Sequence, residues 1–241
     1  MRYGIISDIH GNLQAFEAVI SQLKKEKVDA FLCAGDVVGY GANPGECIEL
    51  LEDLKIPCVA GNHDWAVTGK TDTAYFNDLA RESIRWTQKY LPPEGMNFLN
   101  RLELIYASPD LMLVHGLLPH PERFDYLTET DQASAMFPCL DRQICFVGHT
   151  HVPQIFIQDK NGVFESGELN IRIEDGKKYI VNVGSVGQPR DGDSQAAYCV
   201  YDSESKTAAI KRTPYAVEEA QKMIVQAGLS FFLAQRLSMG R

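Results

Sequence analysis

The chain has 241 residues, 45% of them apolar, which is enough to bury a full core in one large domain or two small ones; one domain is the expectation. A formal net charge of −9 repels polyanions, so a DNA or RNA binder held by counterion release is disfavoured, whereas a small phosphorylated ligand gripped by metal is not. No apolar stretch approaches the roughly 18 residues of a membrane span, and the N-terminus runs straight into a strand pattern, so the protein is expected in the cytoplasm and off the membrane.

Residues 2–7 are a short, mostly apolar run, followed by Asp8-Ile9-His10-Gly11-Asn12. A helix is predicted over about 13–27: Leu13, Phe16, Val19, Ile20 and Leu23 recur at helical spacing, and Lys24, Lys25 and Lys27 crowd its C-terminal end, where cations suit the dipole. Residues 30–34 read as a second buried strand ending in Gly35-Asp36-Val37-Val38-Gly39-Tyr40-Gly41. Asn43-Pro44 opens another helix, with Pro in the first turn. Residues 56–60 form a third strand pattern before Gly61-Asn62-His63-Asp64. Three strands alternating with two helices predict a right-handed βαβαβ unit, whose ligands gather at the carboxyl ends of the strands, where Asp8, Asp36 and Asn62 stand.

Residues of about 65–101 read as a helical excursion, either a packed insertion or a cap over a site. Residues 102–107 and 111–114 read as a strand pair delivering His115-Gly116. A Pro-containing loop and a short helix near 129–137 lead to the strand 144–147, which ends in Gly148-His149-Thr150-His151. The short runs 154–158, 169–173, 178–183, 197–201 and 208–211, with turns such as Asn161-Gly162, predict a second, mainly antiparallel sheet. A helix over about 215–236 closes the chain. The fold expected is α/β: one four-layer αββα sandwich of two mixed β-sheets flanked by helices. The six cysteines contain no CxxC pair and lie mostly inside strand patterns, so buried reduced thiols are expected.

Gly61-Asn62-His63-Asp64 on its own fits an ordinary capped loop as well as a metal centre. The other histidines bear on the choice. Five of the six, His10, His63, His115, His149 and His151, directly follow apolar runs, which scattered structural histidines would seldom do. Asp8 with His10, and His149 with His151, lie two apart, and in extended backbone alternate side chains point the same way, so each such pair can chelate one centre. His120 is left as a loop residue.

In order along the chain, Asp8-Ile9-His10, Gly35-Asp36, Gly61-Asn62-His63-Asp64, His115-Gly116 and Gly148-His149-Thr150-His151 resemble the five motifs of the calcineurin-like metallophosphoesterases, over residues 2 to about 200. The resemblance implies a dinuclear-metal hydrolase of phosphate esters. Asp8, His10, Asp36 and His151 would hold one ion; Asn62, His115, His149 and the shared Asp36 would hold the second. It implies two divalent transition-metal ions, with manganese or iron usual in the family and cobalt, nickel or zinc also suited to mixed imidazole and carboxylate donors. A hydroxide shared by the ions would be the nucleophile and His63 the general acid. Asp64 either orients His63 or caps the following helix.

The string after Asp36 lacks the Asp and Arg of the phosphoprotein phosphatases in this superfamily, which disfavours protein phosphatase and symmetric diadenosine tetraphosphatase activity. The Gly-rich turn Gly184–Gly192 resembles that of small bacterial phosphodiesterases and asymmetric diadenosine tetraphosphate hydrolases. There Arg190 either grips a second phosphate or is a solvent charge beside Asp191. The implied partner is a small phosphorylated substrate, a nucleotide first of all. The rival readings are a catalytically silent scaffold, which the filled motifs oppose, and a DNA nuclease, which the lack of basic stretches opposes.

Overall fold

A computed structural model describes residues 1–241. The N-terminal strand β1 (Arg2–Ile6) leads through helix α1 (Leu13–Lys25) to β2 (Ala30–Cys33), which pairs parallel to β1 as a βαβ crossover requires. Asn12 caps α1, its side chain accepting the Ala15 N–H, and Lys24 and Lys25 occupy the last turn. Helix α2 (Pro44–Asp53) follows.

The expected third strand at 56–60 is not one. Its backbone runs beside the end of β2, with bonds from Cys33 N to Pro57 O (2.9 Å) and from Val59 N to Cys33 O (3.1 Å), but it forms only isolated bridges. Pro57 brings no N–H to a ladder, and at Gly61 the chain turns into the six-residue helix α3 (Asn62–Val67). The excursion is helical as expected, comprising α3, α4 (Asp78–Tyr90) and α5 (Pro93–Arg101).

Strands β3 (Ile105–Ala107) and β4 (Met112–Val114) form a hairpin, and α6 (Thr130–Met136) precedes β5 (Ile144–Val147). The C-terminal third supplies β6 (Gln154–Asp159), β7 (Gly162–Glu165), β8 (Asn170–Arg172), β9 (Lys178–Asn182), β10 (Ala196–Asp202) and β11 (Thr207–Thr213). These do not make a sheet of their own, contrary to expectation. Strands β10, β11 and β8 join the first sheet, in order β2-β1-β10-β11-β8, while β9, β6 and β7 extend the second, in order β3-β4-β5-β9-β6-β7. Both sheets are mixed: β10 runs antiparallel to β1, and β4, β5 and β9 run parallel at the centre of the second sheet.

Alternation within the strands decides the layers. Ile5, Leu32, Leu113, Phe146, Val181 and Cys199 point between the sheets, while their neighbours Ile6 and Cys33 pack outward under α1 and α2, and Cys145 and Val147 pack outward against α6. The result is the four-layer αββα arrangement. Each large side chain buried in it contributes about 1.5–3 kcal/mol, and truncating fully buried Phe146 to Ala would cost about 3–5 kcal/mol.

The predicted C-terminal helix is two, α7 (Val217–Gln226) and α8 (Phe231–Met239). They are separated at Gly228, whose φ of 76° ends the first as a side-chain-bearing residue would resist doing. No helix is long and apolar enough to cross a membrane, and all six cysteines are free thiols.

Candidate metal centre

The predicted metal ligands, with His63 and Asp64, stand on loops at the carboxyl ends of β1, β2, β4 and β5 and at the start of α3, and Arg190 on the turn after β9. Asp8, His10, Asp36, His63, Asp64, His115, His149 and His151 are all buried, and all of them except Asp64 form overlapping donor groups. Asp8, His10 and His151 make one such group; Asp36, His115 and His149 make another; His10, Asp36 and His63 make a third that overlaps both. Asn62 joins the second, its Oδ1 lying 3.2 Å from His115 Nε2.

The convergence has a different origin from the strand alternation expected for Asp8/His10 and His149/His151. Strand β1 stops at Ile6, and all four residues, with Asp36 and Tyr40, have positive φ between 52° and 71°. Left-handed turns, not pleats, aim these side chains inward. That backbone costs of order 1–3 kcal/mol for each residue and persists only where surrounding structure holds it. Part of the hold comes from glycines packed directly on the carboxylates: a Cβ on Gly61 would overlap Asp36 Oδ1, and one on Gly148 would overlap Asp8 Oδ2.

The rings are oriented by backbone carbonyls. His10 Nδ1 lies 2.9 Å from Val38 O, His151 Nδ1 2.5 Å from Gln188 O and His115 Nδ1 2.7 Å from Ala34 O. A carbonyl only accepts, so each Nδ1 carries a proton and each Nε2 is the atom turned inward, where a neutral ring presents the lone pair of a ligating imidazole. The consequence is sharpest at His10 and His151, whose Nε2 atoms face each other at 3.1 Å. Burial lowers the basicity of both, so both are neutral and two lone pairs meet with no hydrogen between them. Beside them Asp8 Oδ1 is buried without a hydrogen-bond partner, 3.3 Å from His151 Nε2. Lone pairs and an orphaned carboxylate oxygen converging in a buried pocket call for a cation, and the donor set fits a divalent transition metal.

The second group satisfies the same demand with a proton. Burial lowers the basicity of His115, but the Asp36 carboxylate, 3.3 Å from its Nε2, and Asp8 behind it raise its pKa to about 10. Burial, opposed by the carboxylates, lowers His149 to about 3, and its ring stacks on Tyr126 with centroids 4.0 Å apart and planes 9° from parallel. Burial would raise Asp8 and Asp36, yet the surrounding imidazoles hold both below the usual carboxylate range.

His63 lies against this cluster, 4.9 Å from the His10 ring, 4.5 Å from Tyr40 and 5.2 Å from Phe76, centroid to centroid. Its backbone N–H donates to Asp36 Oδ1 (2.9 Å), but its ring has no protein hydrogen bond, and Nδ1 is buried without a partner. Burial lowers its pKa to about 4.

Asp64 does not orient His63. Its Oδ2 accepts the N–H groups of Asp36 and Gly61, both at 2.9 Å, and its Oδ1 those of Val37 (2.9 Å) and Val38 (3.2 Å). The carboxylate caps its own helix at Gly61 and staples the 36–38 loop to it. Burial and the Asp36 charge push its pKa up; the N–H donors oppose them, and only the ionised form can accept all four.

Arg190 is half-buried. Its guanidinium carbon is 5.7 Å from the Tyr40 ring centroid, and Nη2 donates to Gln188 Oε1 (2.9 Å). Asp191 is taken by Arg212, so Arg190 is not a mere surface pair with its neighbour. Sequence reasoning missed Tyr40 and Tyr126. Tyr40 lies in the quoted Gly35–Gly41 string, where a polar ring among glycines was a readable signal; Tyr126 sits in an unpatterned loop that offered none.

A cavity of about 300 Å³ opens over Asn62, His63 and His149 and is walled by Tyr40, Phe76, Phe124 and Tyr126. At its rim Tyr75 is 91% exposed.

Comparison with known proteins agrees with this geometry. The profile of the calcineurin-like phosphoesterase superfamily domain matches residues 1–206. An uncharacterized protein of Methanocaldococcus jannaschii is 40% identical over 241 residues, covering 98% of this chain and 97% of the relative. The crystal structure of a metallophosphoesterase from Sphaerobacter thermophilus is similar at 38% identity with a TM-score of 0.88, covering 100% of this chain and 99% of the other. A hypothetical protein from Pyrococcus horikoshii OT3 shares the fold at 18% identity, TM-score 0.82, over 100% and 98% of the two chains. The lone pairs left facing one another between the sheet ends thus have their explanation in ancestry as well as chemistry: this chain belongs to the calcineurin-like phosphoesterase superfamily, as a metal-dependent phosphoesterase.

Proposed function

We propose that the protein hydrolyses small phosphate esters or anhydrides, as a phosphodiesterase or dinucleoside polyphosphate hydrolase acting on a nucleotide. The observation that carries the reading is the pair of neutral Nε2 atoms of His10 and His151 facing at 3.1 Å beside the orphaned Asp8 Oδ1. In this reading Asp8, His10, Asp36 and His151 hold one divalent ion, and Asn62, His115, His149 and the shared Asp36 hold a second, manganese being the first choice. When bound, such ions polarise a phosphoryl oxygen and acidify a water.

The chain's own residues do the rest. His63 has no hydrogen-bond partner on its ring and lines the cleft, so it is placed to give a proton to the leaving oxygen. Burial, helped by the Arg190 charge and the neighbouring imidazoles, keeps it neutral, and the negative charge of an arriving phosphate favours the protonated ring. Asp64 positions Asp36 through the backbone rather than acting on substrate. The aromatic walls of the cleft, Phe76, Phe124 and Tyr126, with Tyr75 at the rim, offer flat apolar faces for a nucleobase.

The experiment is a manganese-supplemented screen of p-nitrophenyl esters, cyclic nucleotides and dinucleoside polyphosphates, with EDTA as control. EDTA-sensitive turnover is expected, greatest for a nucleotide. A metal-loaded protein that leaves every one intact overturns the reading.

A further inference from the structure

The C-terminal helix brings a second arginine to the ring that Arg190 covers. Arg236 on α8 has its guanidinium carbon 5.9 Å from the Tyr40 centroid, against 5.7 Å for Arg190. Tyr40 in turn touches the rings of His10 (4.8 Å) and His63 (4.5 Å), so both cations stand one aromatic ring away from the centre. Neither arginine is paired with an Asp or Glu side chain, although the chain carries a net charge of −9. The nearest acids in sequence, Asp191 and Asp193, are both engaged by Arg212. Arg190 Nε is buried without a partner, and Arg236 spends only its Nε, on Arg241 O at 2.6 Å.

The placement is built rather than incidental. Gly192 N donates to Gly240 O (3.0 Å), tying the end of α8 to the turn that carries Arg190. Two half-buried guanidiniums held on one ring repel each other; burial and the Arg190 charge together lower the pKa of Arg236. Two guanidiniums that no Asp or Glu side chain neutralises, held together beside the centre, suit an anion between them, and guanidinium forks match phosphate oxygens.

We propose that Arg236 and Arg190 together form a subsite for a second phosphate group of the substrate, adjacent to the one attacked, so that the preferred substrates carry at least two linked phosphates. This rests on the phosphoesterase reading above and narrows its substrate class. Arg236 is then a specificity-determining residue outside every motif of the family.

The test is calorimetric titration of the manganese-loaded protein, at fixed free metal, with imidodiphosphate and with orthophosphate. The wild type should prefer the diphosphate, and R236A and R190A should each shrink the ratio of the two affinities by about tenfold or more. R236Q keeps the stem against Tyr40 and loses the charge; it should behave like R236A and serves if the alanine variant is unstable. R236K should restore part of the preference, as a point charge without the fork. A wild-type ratio in folded R236A or R236Q overturns the subsite. Because binding of a non-hydrolysable anion needs no turnover, failure of the hydrolase reading would appear separately, as a wild type that cleaves no ester.

Discussion

Asp64→Asn separates a carboxylate that builds the site from one that takes part in chemistry. Each Asp64 oxygen accepts two backbone N–H groups, from Asp36 and Gly61 on one side and from Val37 and Val38 on the other. Asparagine keeps one accepting oxygen, so in either orientation its amide NH₂ faces two N–H donors that it cannot satisfy. Losing two hydrogen bonds to a charged group, at about 1.5–3 kcal/mol each, costs roughly 3–6 kcal/mol. For a chain of this size about 1 kcal/mol lowers the melting temperature by roughly 2–4 °C, so a drop of about 6–24 °C is expected. The assay is thermal unfolding by circular dichroism at pH 8 with EDTA present, paired with elemental analysis after manganese loading. The freed 36–38 loop should also misplace Asp36, and bound metal should fall with stability. A variant that melts within about 2 °C of wild type and keeps its metal, yet loses turnover, would refute the stapling role and return Asp64 to the reaction itself.

His63→Asn should keep its metal but lose about 10²–10⁴-fold in turnover, most for poor leaving groups; loss of metal in the same proportion would make His63 a ligand instead. The metal-free protein should have a stability optimum near pH 6.5. His63 and His149, with folded pKa values of about 4 and 3 against 6.5 unfolded, contribute stability that is present above 6.5 and lost as pH falls toward them. His115, raised to about 10, contributes stability present below 6.5 and lost as pH rises through 10. Melting temperatures across pH 4–10 in EDTA test this, and a profile still climbing above pH 8 would contradict it. Saturating manganese should flatten the alkaline limb, since a metal replaces the His115 proton.

Much of the site was legible because its donors cluster where apolar runs stop. His10, His63, His115, His149 and His151 each follow such a run, and the structure gathers all five within one buried cluster. What misled was the geometry of gathering. Asp8 and His10 look like alternate strand residues, yet β1 has ended and both adopt left-handed backbone, which short-range patterns do not reveal. Asp64 likewise looked like a partner for its neighbour His63, when its four donors come mostly from a loop 26 to 28 positions away.

The order of residues by itself determined the element types and the set of chemical donors, because hydrophobic period and residue chemistry are local properties. It determined that α/β layers would form and that imidazoles and carboxylates would end up at strand tips. Only the tertiary structure decided which sheet each C-terminal strand joins, since β10 pairs with β1 from Ile5 against Cys199 to Arg2 against Asp202, by registry of inward faces that no local window contains. It alone decided that Val38, Gln188 and Ala34 would offer the carbonyls that orient three imidazole rings. It alone brought Arg236 of the last helix to Tyr40. Those are contacts between distant segments, and packing of the whole chain, rather than any stretch of it, sets their distances.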